Sequence, residues 1–179
     1  GGAYAVLAYM ADAAVTTFMT GLTRADVLSG GAVIDTNGKD ITISQNLLAP
    51  VAGTSGGLTK NGAGTLTLAG NNTYTGDTTV ASGTLELADN AQLRFVVTEA
   101  PAANQVTGTG NATFHGDFNI DTTAVTGSTG HIWLLVDRAN LTGESFGPSF
   151  SVVGFTDPED DGTWTMTDAK GAWTFDEAT

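Results

Sequence analysis

Residues 56–88, GGLTKNGAGTLTLAGNNTYTGDTTVASGTLELA, decide the fold. Gly64-Thr65-Leu66-Thr67-Leu68-Ala69-Gly70-Asn71 returns 19 residues later as Gly83-Thr84-Leu85-Glu86-Leu87-Ala88-Asp89-Asn90, with six of eight positions identical. Within each copy Leu alternates with a polar residue, the period of a strand with one buried face. Gly and Asn fall where each strand ends, as corners require. A fixed period of about 20 residues built from such units predicts a β-solenoid, one coil stacked on the next. Leu58, Leu66, Leu68, Val80, Leu85 and Leu87 are the expected inward residues, and Asn71 and Asn72 are expected to bond to backbone at a bend.

Working outward, the pattern extends in both directions. Ala32–Thr36 and Ile41–Ser44 read as strands around the Asn37-Gly38 turn. Ile41-Thr42-Ile43 echoes Leu66-Thr67-Leu68 at an offset of 25, so coils of unequal length are expected. Further strands are predicted at Gly64–Ala69, Thr73–Val80, Thr84–Ala88, Gln92–Thr98, Ala112–Phe114, Phe118–Asp121 and Phe150–Phe155. His131–Val136, HIWLLV, is a continuous apolar run and predicts a fully buried strand. Residues 99–110 break the rhythm and predict a loop and internal seam. Trp164–Asp168 and Trp173–Asp176 predict a C-terminal hairpin within 163–176, with Gly171 in its turn and both Trp on one face.

The first residues differ. Residues 3–20 are Ala-rich, carry only Asp12 as charge, and place Tyr4, Leu7, Val15 and Phe18 near helical spacing, with Gly21 as a stop. The division expected is a helical cap over 1–28, covering the solenoid end with Leu7, Val15 and Phe18, and a solenoid over 29–179.

Composition narrows the function. Six Lys and Arg against 19 Asp and Glu give a net charge of −13, which repels phosphate and argues against nucleic acid and anionic membranes. With no Cys, disulfides and thiolate metal sites are excluded. No apolar run of about 18 residues is present, so no spanning helix and no membrane insertion by this segment are expected. Residues 1–23 lack Lys and Arg, so no basic leader region is seen, and the chain reads as a segment of a longer polypeptide.

Gly56-Gly57-Leu58-Thr59-Lys60, Gly62, Gly64-Thr65-Leu66, Leu68, Gly70, Asn72, Tyr74, Gly76, Thr78, Val80, Gly83 and Leu85 together resemble the passenger-associated transport repeat, the autotransporter-associated β-strand repeat of bacterial surface proteins. Trp133–Asp137, Ser149–Phe155 and the Trp164/Trp173 hairpin are similar to the segments C-terminal to such repeats. The resemblance implies a right-handed β-helix in a secreted passenger region, displayed or released at the bacterial surface, with the repeat aiding secretion and folding. It implies no catalytic activity.

The titratable residues point the same way. His115 and His131 have no second His at metal-ligand spacing, and no nucleophile elbow is present. Asp157-Pro158-Glu159-Asp160-Asp161-Gly162 lacks the D-x-D-x-D-G order of a calcium loop and reads as a solvated turn. Lys60, Arg94 and Arg138 are a thin supply of groove cations for a glycan enzyme, and the sequons at Asn71, Asn111 and Asn140 read as chance matches. No catalytic, cofactor-binding or metal residue is nominated, and no cofactor is expected. The expectation is an all-β passenger segment whose partners are host or matrix glycans or proteins and the rest of the parent polypeptide. A carbohydrate-binding or carbohydrate-cleaving β-helix is the alternative.

Overall fold

The computed structural model describes residues 6–8, 17–100, 102–127 and 130–178, with 6–8 described by backbone alone. The described residues are all β, and almost all of their pairing is parallel.

The chain visits the same sheets in the same order, pass after pass. The first pass supplies β1 (Val6–Ala8), a bridge from Thr17 to Thr42, and β2 (Ala25–Asp26). The second supplies β3 (Ala32–Asp35), β4 (Ile41–Ile43) and β5 (Leu47–Leu48). The third supplies β6 (Leu58–Asn61), β7 (Thr65–Leu68) and β8 (Asn71–Asn72). The fourth supplies β9 (Thr78–Val80), β10 (Thr84–Leu87) and β11 (Gln92–Thr98). The fifth supplies β12 (Val106–Gly108), β13 (Asn111–Phe114) and β14 (Asp117–Ala124). A last pass touches the sheets through a Val136–Val106 bridge, β15 (Gly143–Phe146) and a Val152–Phe118 bridge. The resulting sheets run β1-β3-β6-β9-β12, β4-β7-β10-β13-β15 and β8-β11-β14, with β2-β5 as a separate pair.

Register follows from the alternation. Ile43, Leu68, Leu87, Phe114 and Phe146 lie in one column, and Ile41, Leu66, Leu85 and Ala112 in the next. Every residue of these columns except Phe146 is essentially inaccessible to solvent. Full burial of each large apolar side chain contributes roughly 1.5–3 kcal/mol. Thr42, Thr67, Glu86, Thr113 and Ser145 form the outward row between them, where β-branched and polar side chains suit a half-solvated pleat.

The chain ends in an antiparallel hairpin, β16 (Thr163–Asp168) and β17 (Gly171–Asp176). Trp164, Met166, Trp173 and Phe175 share its inner face and pack on the core, as the sequence alternation predicts. Phe175 lies 5.7 Å from Phe118, 6.1 Å from Phe146 and 5.8 Å from Phe150, ring centroid to centroid. The hairpin thus covers the open end of the column.

Several expectations are corrected. The predicted helix over 3–20 is replaced, where described, by β1 pairing with Val33–Asp35 and by the Thr17 bridge; residues 3–5 and 9–16, with Tyr4 and Val15, lie outside the described residues. An Ala-rich amphipathic pattern is equally served by a strand when β3 offers a ladder of hydrogen bonds beside it. His131–Val136 is not a buried strand: Ile132 is 86% exposed, Leu134 is 45% exposed, and Val136 alone of the run bridges to a neighbour. An apolar run becomes a strand only where another backbone lies alongside. Phe150–Phe155 likewise contributes one bridge, at Val152, before a turn at Val153-Gly154, although Phe150 and Phe155 are buried. Thr73–Val80 is interrupted, its first half bending around buried Tyr74 before β9 begins. The 99–110 seam contains β12. In the hairpin the turn residues are Ala169-Lys170, and Gly171 opens β17 with φ 141°.

Candidate functional site

Two places concentrate chemistry that packing alone does not explain: the corner of the repeat around Lys60, and the cleft beside the hairpin.

Lys60 occupies an inward position between Ile34 and Val80, and is 0% exposed. Its ammonium donates to Thr36 Oγ1 at 3.0 Å, Asn61 O at 3.0 Å, Gly62 O at 2.7 Å and Ser82 O at 3.1 Å. Corner carbonyls point inward because the chain turns there; Asn61 O also accepts from Thr36 N at 3.1 Å, and the ammonium collects it together with Gly62 O and Ser82 O, three carbonyls from two successive passes. Burial lowers the Lys60 pKa, partly opposed by the negative charges of Asp35 and Asp40. Gly83 closes the same corner. Its φ is +69°, and a Cβ there would lie 2.4 Å from Gly64 O and 2.8 Å from Lys60 Nζ.

The other polar residues of the repeat are also built into the interior. Asn72, buried, accepts from Leu47 N and donates to Gly70 O and Gln92 O, tying three passes together at a bend. The Tyr74 hydroxyl and Thr78 Oγ1 are 2.6 Å apart, both buried, and burial pushes the Tyr74 phenol up against the smaller opposing effect of that bond. Asn71 N donates to Asn46 Oδ1 of the previous pass.

The remaining titratable residues are dispersed. His115 stands against Gly147, and its carbonyl accepts from Ser149 Oγ. His131 Nδ1 is buried without a hydrogen-bond partner, its ring edge-on to Trp133 at 5.7 Å. In the acidic loop, Asp157 accepts from the backbone of Asp161 and Gly162, and Asp161 from Thr163 N, so these carboxylates hold a turn. Arg94 pairs with Asp121; burial opposes ionisation of Asp121, but bonds from Thr123 and Arg94 outweigh it and hold the carboxyl at about 2. Arg138 pairs with Glu144 at 2.6 Å and donates to Glu177 O. Among the described residues no three His, Asp or Glu side chains converge as metal ligands would. Asn71, Asn111 and Asn140 are exposed.

Sequence reasoning misses the role of Lys60, which it places among the groove cations. The signal was present: Lys60 is two residues from Leu58, and period 2 places both on one side of the strand.

The second place is a cleft of about 530 Å³ between β17 and residues 130–138. Trp133 and Trp173 stack across it at 5.9 Å, and Phe146, Phe155 and Phe175 line its floor. Both indole N–H groups are already committed, Trp133 to Thr98 O and Trp173 to Asp168 Oδ1. Aromatic planes with few free polar groups suit apolar or peptide surfaces better than a sugar, whose hydroxyls need partners.

With this geometry in place, the comparison with known proteins is specific. Residues 58–87 match the family described as passenger-associated-transport-repeat, so the chain carries an autotransporter passenger repeat. The matched residues are the third pass and the first two strands of the fourth, β9 and β10, including Lys60, Asn72, Tyr74 and Gly83. No curated protein and no solved structure matches the chain.

Proposed function

We propose that this chain is a right-handed β-helix that serves as a non-enzymatic passenger segment of a secreted or surface-displayed bacterial autotransporter-like protein, projecting or adhering at the cell surface. The observation that carries the reading is the position of the repeat. Residues 58–87 lie in the middle of a parallel stack, where Leu85 sits on Leu66 only 19 residues on and Lys60 bonds two passes together. Such a unit templates the next pass by register and buried bonds, a folding role suited to a chain that must fold after export. The absence of Cys fits: cohesion comes from ladders and columns.

The test is localisation of the parent polypeptide with and without residues 58–87. Antibody labelling of intact bacteria, lost on protease shaving, is the expected result for the intact protein, with reduced surface signal for the deletion. Retention of all antigen inside the cell would overturn the display role. Turnover in a reducing-sugar assay on bacterial or host glycans would overturn the non-enzymatic reading.

A further inference from the structure

Between the second and third passes the chain leaves the sheets. Strand β5 ends at Leu48, and the next pairing is the Leu28–Ser55 bridge. Ala49 is still tethered: its N–H donates to Thr73 Oγ1 at 3.2 Å and its carbonyl accepts from Arg24 at 2.8 Å. Beyond it Pro50 has no N–H to give, and Val51, Ala52, Gly53 and Thr54 make no hydrogen bond among the described residues. All four are exposed, and Val51, at 88%, is the most exposed large hydrophobic of the described residues. Gly53 has φ +94° and open space where a Cβ would stand. Backbone that bonds only to water lifts away without breaking anything in the fold, which is what a protease needs of a segment.

The side chains name the class of protease. A serine protease holds an extended segment by main-chain bonds and selects the residue before the scissile bond by the pocket that receives it. Val51 is small and aliphatic, and Ala49, Pro50, Ala52 and Gly53 around it are small and uncharged, which matches a small apolar pocket of the elastase type. Other exposed stretches are held. The Asp157 carboxylate fastens Asp161 N and Gly162 N, Thr98 Oγ1 fastens Ala100 O and Ala102 O beside the Val97–Ala103 bridge, and Ile132 adjoins Trp133, whose indole is bonded to Thr98 O and stacked on Trp173. We propose that the Val51–Ala52 peptide bond is a processing site for a serine protease with a small apolar specificity pocket. The enzyme's serine attacks the Val51 carbonyl, Ala52 leaves as the amine, and water hydrolyses the acyl-enzyme to free the Val51 carboxylate. The two products stay together, because β3 and β4 remain paired with β6 and β7, Thr36 Oγ1 with Ala63 O and Lys60, and Leu47 N with Asn72 Oδ1. The cut adds two charged termini at a surface corner and leaves the stack assembled.

Limited proteolysis of the folded full chain with an elastase-type protease, read by mass spectrometry, tests it. The expected result is that Val51–Ala52 is the first bond cut within residues 17–178. The fragment ending at Val51 and the fragment beginning at Ala52 should co-migrate in size exclusion and separate only in denaturant. Val51→Asp should slow this cut by about tenfold or more at an unchanged melting temperature, because a carboxylate does not enter an apolar pocket. Val51→Arg should lose the elastase-type cut and gain a trypsin cut after position 51, which separates access to the loop from choice of side chain. A first cut elsewhere within residues 17–178, cleavage of Val51→Asp at the wild-type rate, or cleavage only where the whole chain unfolds would each overturn the proposal. Separation of the fragments without denaturant would overturn the retention of the stack. The assay uses the purified chain, so its outcome is independent of surface display.

Discussion

The repeat and the C-terminal third of the chain solve the same packing problem with different materials. Between β7 and β10 the passes are 19 residues apart, the core is Leu on Leu, and the corners are Gly against backbone with one buried ammonium between them. Between β13 and β15 the offset is 32 residues, contact with the sheets thins to single bridges at Val136 and Val152, and the core is closed by Phe118, Phe146, Phe150 and Phe175 in edge-on contact. Short passes leave no slack, so stability there rests on backbone fit. Long passes leave the chain free to wander, so stability rests on large side chains that reach across the gaps.

The sharpest way to break the comparison is to put a side chain at a corner. Gly83→Val forces a branched side chain into positive φ and onto Gly64 O, 2.4 Å from where its Cβ must sit. The expected loss is about 4 kcal/mol or more, read as failure to fold or a large fall in denaturation midpoint. Gly171→Ala, at φ 141° with nothing within 4 Å, should cost only about 1 kcal/mol. Equal losses at the two sites would erase the distinction between tight and loose passes.

Next in size is Lys60→Met. The substitution keeps the bulk and strands the carbonyls of Gly62 and Ser82, for an expected loss of about 3 kcal/mol at neutral pH. Its pH dependence carries a sign. The Lys60 pKa is lowered on folding, so below the ordinary 10.5 the unfolded chain holds the proton more tightly than the folded one. Wild-type stability conferred by Lys60 therefore rises as pH climbs into that window, and the gap to Lys60→Met widens. Tyr74, whose raised pKa acts in the opposite sense above 10.0, is common to both proteins and cancels in the difference. Urea denaturation of both at pH 7 and near pH 10 decides; a gap that narrows contradicts the buried charge.

Phe175→Ala tests the other region. Phe175 is half-buried on three rings of the terminal cluster, and its truncation should cost about 2 kcal/mol. The distribution of the loss matters more than its size. Amide exchange should quicken in β16 and β17, because a lone hairpin is marginal in water, while β7 and β10 keep their protection. Uniform quickening would mean that the two regions unfold as one unit.

The same contrast explains what could be read from the sequence. Leu66, Leu68, Leu85 and Leu87 announced their column because tight passes repeat their residues in register, and Gln92–Thr98 was bounded correctly by alternation alone. The hairpin was legible for the same local reason. His131–Val136 and Phe150–Phe155 were misread because apolar content reports burial, whereas strand formation depends on which backbone lies next door, and a long pass does not fix that locally. Lys60 was misread in the opposite direction: charge suggested surface, but period 2 from Leu58 and the corner carbonyls drew it inside. The cleft was not legible at all, since it forms where residues 130–138 and β17 meet, far apart in the sequence.

The smallest effect lies at the border of the two regions, where Arg94 of β11 reaches Asp121 of β14. Asp121 is held at about 2, against an ordinary 3.8, by bonds from Thr123 and Arg94 that outweigh its burial. A carboxyl with a lowered folded pKa adds stability that is complete above about 3.8 and disappears as pH falls through about 2. Because the Arg94 side chain remains 34% exposed, solvent screens the pair, and about 1 kcal/mol is the expected contribution at neutral pH. Asp121→Asn should therefore melt slightly below wild type at pH 7 and converge with it near pH 2. If the difference persisted unchanged at pH 2, Asp121 would be acting through packing of β14 on β11 and not through its charge. The border would then belong with the tightly fitted passes instead of the looser C-terminal ones.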